Sequence, residues 1–151
     1  MSNRVNDVGE AKKLAIQSAY DRCPLPIPDG FEFAVFDDQI IETRYGWAFL
    51  YTTKSYLASD RNRPNVFGAV GCVVERIDGS VHPLPGIFSL RTWLRIYELK
   101  KRPSLRRWLI AQIYLLYECI ITGQAWRFYL ANPVSWARFK EIRAGGLADD
   151  E

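Results

Sequence analysis

Between Asp7 and Asp21, Ala11, Leu14, Ala15, Ser18 and Ala19 recur at i, i+3, i+4, i+7 and i+8, the spacing of one helix face. That face is narrow and made of small residues, so the helix can lie close against a sheet. The stretch "CPLPIPDG" follows, and Pro24, Pro26 and Pro28 predict an extended connector ending in an Asp-Gly turn. The period then changes from helical to two. "FEFAVFDDQIIETRY" reads as one strand, or as two short ones broken at Asp37–Asp38, and Tyr45–Gly46 supplies the turn into a strand over 47–53. In that strand Trp47, Phe49 and Tyr51 alternate with Ala48, Leu50 and Thr52, so one face carries only rings. Such a face is either core or contact surface. A helical turn at Lys54 to Leu57 and an exposed polar loop, "SYLASDRNRPN", come next. Asp78–Gly79 then marks a hairpin between strands Gly71–Arg76 and Ser80–Leu84.

The remaining pattern is helical. Ser89 as N-cap opens a helix with Leu90, Trp93, Leu94 and Tyr97 on one stripe, ended by Pro103. The next helix has two apolar stripes: Leu105, Trp108, Leu109, Ile113, Leu116 and Ile120 form one, and Ile110, Tyr114, Tyr117 and Ile121 the other. A helix apolar over so much of its circumference is buried or forms an interface. Gly123 stops it, a short piece spans Gln124 to Leu130, and Asn132 as N-cap with Pro133 at the first helical position opens a last helix, with Trp136 and Phe139 inward. The expected fold is α+β: an antiparallel sheet of about four strands with flanking helices over residues 1–102, and an α-helical C-terminal extension over 103–151 packed on it, ending in an acidic tail.

Charge changes this picture more than composition does. With 48% hydrophobic and 25% charged residues the chain is globular in type. Its net charge of +3 conceals an asymmetry, because residues 1–88 carry −2, residues 89–143 carry +8, and the closing "DDE" carries −3. A basic segment of this kind marks a nucleic-acid, membrane or acidic-protein partner, or only the wet faces of ordinary helices. The opening "MSNRVNDVGE" lacks the basic start and apolar run of a secretory signal. Cys23, Cys72 and Cys119 lie far apart with no C-x-x-C pair, so neither a zinc site nor a disulfide framework is indicated. These features point to a cytoplasmic protein that does not span a membrane.

No combination of residues forms a recognisable reaction centre. His82 is the single histidine, so it has no second imidazole for a metal. Cys72 with His82 is the one thiol–imidazole combination available, although Cys72 sits in a valine-rich strand where an inert buried thiol is expected. Asp37–Asp38 and Asp149–Asp150 fall in turn and tail contexts suited to solvation. "GAVG" and "AGG" lack the lysine or the spacing of a phosphate loop. The expectation is a non-enzyme without cofactor or metal.

In order and spacing, "YGWAFLY", "KSYL", a polar loop, "FGAVGCVVERIDGSVHPL" and the amphipathic "SLRTWLRIYE" resemble the immunity protein 35 family, the YrhB-type domain of bacterial polymorphic-toxin systems, over about Glu10 to Glu98. The chain departs from that pattern at Ala69 and Gly71, where Asn and Pro are usual ahead of the strand, and at Glu75, where Asp is usual. The resemblance implies a small α+β protein that binds a cognate toxin in the producing cell's cytoplasm and neutralises it by steric occlusion, without catalysis.

Under that implication the toxin-binding candidates are Trp47 and Tyr51 as ring anchors and Arg61 and Arg63 of the polar loop as their rim. Arg95 and Arg102, in "RTWLRIYELKKRPSLRR", would favour an acidic patch on the toxin. Two other classes stay open. An oligomeric chaperone-like or structural protein would pair the 104–121 helix with a copy of itself, and an immunity protein could form the same homodimer. A nucleic-acid-binding module would use basic residues interleaved with Trp93, Tyr97, Trp108 and Trp126, but these rings fall on helical stripes that read as core.

Overall fold

The computed structural model describes residues 4–23, 26–59, 71–84, 88–124, 128 and 132–145. Two compact units divide the chain, Met1–Leu90 and Arg91–Glu151. The fold is α+β, an antiparallel sheet in the first unit and helices in the C-terminal half. Among the described residues, no helix is long and apolar enough to cross a membrane.

In the first unit, helix α1 (Val8–Asp21) starts where Asp7 accepts the Glu10 amide at 2.9 Å and Glu10 accepts the Asn6 amide at 3.3 Å. Reciprocal capping of this kind satisfies donors that the first turn leaves open. The period-two stretch becomes two short strands, β1 (Phe33–Val35) and β2 (Ile41–Glu42), separated by a 3-10 turn at Asp37–Gln39. Both pair with one edge of the long strand β3 (Gly46–Thr53), and β4 (Gly71–Glu75) pairs with the other, followed by β5 (Val81–Leu84). The predicted helical turn after β3 is a short helix, α2 (Lys54–Ala58), capped by Thr53.

Ala11, Ala15 and Ala19, the small face of α1, are buried, and α1 lies against β1, β3, β4 and β5. Its core partners are Val35, Trp47, Phe49, Cys72 and Val74, with Tyr51 packed at the margin. Alanine at these positions lets the helix approach, and the rings of β3 fill the space beneath it. On the opposite face of the same strands, Ala48 and Val73 are paired and fully buried. The centre of the sheet is therefore covered on both sides.

Burial has a second consequence in this core. It pushes the Cys72 thiol from 9.0 up to about 11, and burial followed by the adjoining Cys72 raises Tyr51 above its ordinary 10.0. In the unfolded chain both groups ionise near their ordinary values, so as pH rises the unfolded state loses protons first. Stability is fully present below pH 9 and falls as pH climbs from the unfolded thiol value of 9.0 towards about 11, by up to about 1.4 kcal/mol per pH unit for each ionising group. Urea unfolding at neutral pH and again at about pH 10 measures this; equal unfolding free energies would contradict it.

The second unit holds α3 (Leu90–Lys101, from its second residue), α4 (Leu105–Ile121) and α5 (Trp136–Arg143). Burial on α3 is wider than the predicted stripe, taking in Thr92, Ile96 and Leu99 with Leu94 and Tyr97. Ser104 caps α4 through the Arg107 amide. The expected N-cap of the last helix is corrected: Ser135, not Asn132, caps α5, and the helix starts at Trp136. Asn132 instead makes a turn, accepting the Val134 amide at 3.0 Å while its Nδ2 donates to Gln112 Oε1 at 2.6 Å. An Asn side chain committed to its own i+2 amide closes a turn ahead of the helix rather than the helix itself. Of the predicted 124–130 piece, all but Gln124 and Phe128 lie outside the described residues.

Candidate protein-binding surface

Exposed chemistry concentrates on α3 and α4. On α3, Arg91, Arg95, Glu98 and Arg102 follow i, i+4, i+7 and i+11, one stripe of a helix. The Arg102 amide still donates to the Glu98 carbonyl at 3.1 Å, so the helical path reaches it. Its carbonyl accepts Arg107 Nη1 at 2.9 Å, which ties the corner between α3 and α4. Arg95 is the ordered member of the stripe: its Nη1 donates to Glu98 Oε2 at 3.1 Å and its guanidinium lies 5.1 Å from the centre of the Tyr114 ring. The Tyr114 hydrogen bond first, and then Glu98, hold its pKa above the ordinary arginine value.

Arg91, Lys100, Lys101, Arg102 and Arg106 are exposed around this stripe. Of the described carboxylates in this unit, Glu98 is held by Arg95 and Glu118 by the Thr92 hydroxyl, while Glu141 pairs with Arg138 at 3.6 Å on an exposed face. Five exposed cations thus stand around a stripe whose own carboxylate, Glu98, is paired with Arg95, which gives this surface its positive sign.

Helix α4 presents an apolar row. Its buried positions are Ala111, Leu115 and Cys119, an i, i+4, i+8 set that neither predicted stripe contained. Beside that buried line, Trp108 Nε1 and Gln112 Nε2 donate to the Val134 carbonyl at 2.8 and 2.6 Å, and the Trp108, Trp136 and Phe139 rings pack at 5.1 to 5.7 Å. Val134 and α5 therefore lie over the Trp108 side. Leu105, Leu109, Ile113, Leu116, Tyr117, Ile120 and Ile121 remain 39% to 65% exposed.

The six sequence candidates separate. Trp47 is a core side chain, 4% exposed, with Arg76 stacked 4.3 Å from its ring centre and anchored to Glu42 at 2.6 Å. Tyr51 is half-buried, packed against the same core. Arg61 and Arg63 lie outside the described residues. Arg95 and Arg102 share the α3 stripe, and sequence reasoning missed Arg91, whose i−4 spacing from Arg95 was the available signal.

Hydrolytic arrangements find no geometry in the hairpin. Register pairs Val73 with His82 and Cys72 with Pro83, so Cys72 and His82 point to opposite faces of the sheet. Glu75 Oε1 at 3.0 Å and Ser80 Oγ at 3.1 Å both approach His82 Nε2, whereas a triad needs acid and nucleophile on different ring nitrogens. Among the described residues, no group of three His, Cys, Asp or Glu side chains is placed to hold a metal ion.

No family model, curated protein or solved structure matches the chain.

Proposed function

We propose that this chain is a non-catalytic binding protein of the immunity type, which neutralises a cognate toxin in the cytoplasm of the producing cell by covering its active site or substrate channel. One observation carries the reading: the α3 stripe of Arg91, Arg95 and Arg102, exposed or half-exposed, with Glu98 and Glu118 of the same unit held by Arg95 and by the Thr92 hydroxyl. A surface of that sign recruits an acidic protein face and raises the rate of encounter. Arg95, pre-ordered by Glu98 and Tyr114, loses less side-chain freedom on binding than an unrestrained arginine would. Arginine is also favoured at such contacts because its planar fork grips a carboxylate at two points. Inhibition then needs no chemistry, only residence on the toxin for longer than a catalytic cycle.

Co-expression with the candidate toxin from the same locus, scored for survival and co-purification, tests the function. In the isolated complex, the Arg91→Glu/Arg102→Glu double variant is expected to weaken binding by roughly tenfold to a hundredfold and to flatten its salt dependence. Loss of protection with no complex formed rejects the function. Binding indifferent to both the variant and ionic strength rejects the arginine stripe as the contact.

A further inference from the structure

The apolar row of α4 is self-complementary. Leu105, Leu109, Ile113, Tyr117 and Ile121 follow one another at strict i, i+4 spacing, the ridge along which helices interdigitate in their commonest packing class. Two apolar side chains stand on either side of Ile113 along the ridge, so an antiparallel copy sets apolar residues against apolar ones. From this we infer that α4 is the two-fold interface of a homodimer. Two copies run antiparallel and cross at about −50°, the angle at which two such ridges lie side by side. Ile113 sits beside the axis against its own counterpart and Leu109 meets Tyr117 of the partner subunit, while Leu105 and Ile121, each turned about 80° from Ile113 around the helix, flank the contact. Leu116 and Ile120 form the adjoining row and close the groove.

Area favours a second copy. The seven side chains, 39% to 65% exposed, make an apolar face larger than the few hundred Å² that a monomer ordinarily leaves to solvent, the scale on which a standard interface of ~800 Å² per partner is built. Charge agrees, because the row carries no ionised side chain between Leu109 and Ile121: Glu118 points to Thr92 on another face, and Arg106 and Arg107 stand at the first turn. An isologous contact requires each residue to tolerate its symmetry mate, and an uncharged centre meets that condition. The basic stripe of α3 stays available to a different protein.

The protein alone decides the matter, independently of any toxin. Light scattering across a micromolar to hundred-micromolar range should give a mass about twice 17.4 kDa, and Ile113→Arg should raise the dissociation constant at least roughly a hundredfold, since it sets two guanidiniums together at an apolar centre. Ile113 is 65% exposed, so circular dichroism should remain that of the parent. Ile113→Cys should cross-link to its own copy under mild oxidation, whereas Leu105→Cys, about 24 Å from its symmetry mate along the helix, should not. A mass of 17.4 kDa throughout, a dimer unchanged by Ile113→Arg, or cross-linking through Leu105→Cys in place of Ile113→Cys overturns the inference.

Discussion

Gly46→Ala is expected to destabilise the first unit by about 3 kcal/mol or more, among the largest effects a single methyl group can have. A Cβ at Gly46 would stand 1.9 Å from the Val74 carbonyl oxygen, 2.9 Å from its carbon and 3.0 Å from Glu75 Cα. All three are backbone atoms of the paired strand, so no rotamer change relieves the overlap. Gly46 also closes the turn into β3: its carbonyl accepts the Thr43 amide at 2.8 Å, and its amide donates to the Thr43 hydroxyl at 3.2 Å. Accommodating the methyl group means separating β3 from β4 at the first pair of their ladder, Gly46 with Glu75. Gly30→Ala is the comparison. Gly30 has φ +80 but nothing within 4 Å of the added atom, so its cost should be only about 1 kcal/mol of backbone strain. Urea unfolding of the two variants separates close approach from conformational strain, and similar losses in both would mean that β4 does not pack against Gly46 as described.

Much of this arrangement was legible in the sequence because its signals are local. Three alanines at helical spacing, an Asp-Gly hairpin and a run alternating at period two each correspond to one element, and the structure has all three. The pattern leaves open whether the strand runs on or breaks at Asp37–Asp38; a 3-10 turn stands there, where two adjacent carboxylates favour a solvated turn over a continued strand. Harder to read was helix α4. Its apolar residues cover most of the circumference, so period alone could not say which arc faces inward. The buried arc follows Ala111, Leu115 and Cys119, where two small side chains permit close packing while the bulky Leu and Ile residues stay outside. That small-residue line is the same signal that α1 gives with Ala11, Ala15 and Ala19, but in α4 it is masked by larger hydrophobes on either side. Asn132–Pro133 misled for another reason. Asn followed by Pro serves a turn as readily as a helix start, and the tertiary bond from Asn132 to Gln112 favours the turn.

Phe49→Ala is expected to lower the unfolding free energy by about 4 kcal/mol, which decides what the aromatic strand is for. Phe49 is 0% exposed and lies opposite Cys72 in the ladder, between Trp47 and Tyr51 on the face that α1 covers. Removing its ring leaves a cavity that neighbours on a strand paired along both edges and a helix capped by Asp7 and tied to β1 through Tyr20 cannot readily collapse to fill. The cost therefore combines lost transfer energy with the void. Phe49→Leu retains most of the volume and should cost about 1 to 1.5 kcal/mol, while Ile77→Ala at the 71% exposed hairpin tip should change stability by no more than about 0.5 kcal/mol. A steep, size-dependent series of this kind makes the rings of β3 the floor beneath α1 rather than a surface for a partner. A Phe49→Ala loss below about 1 kcal/mol would instead mean that α1 leaves that face, and would return Trp47 and Tyr51 to candidacy as contact residues.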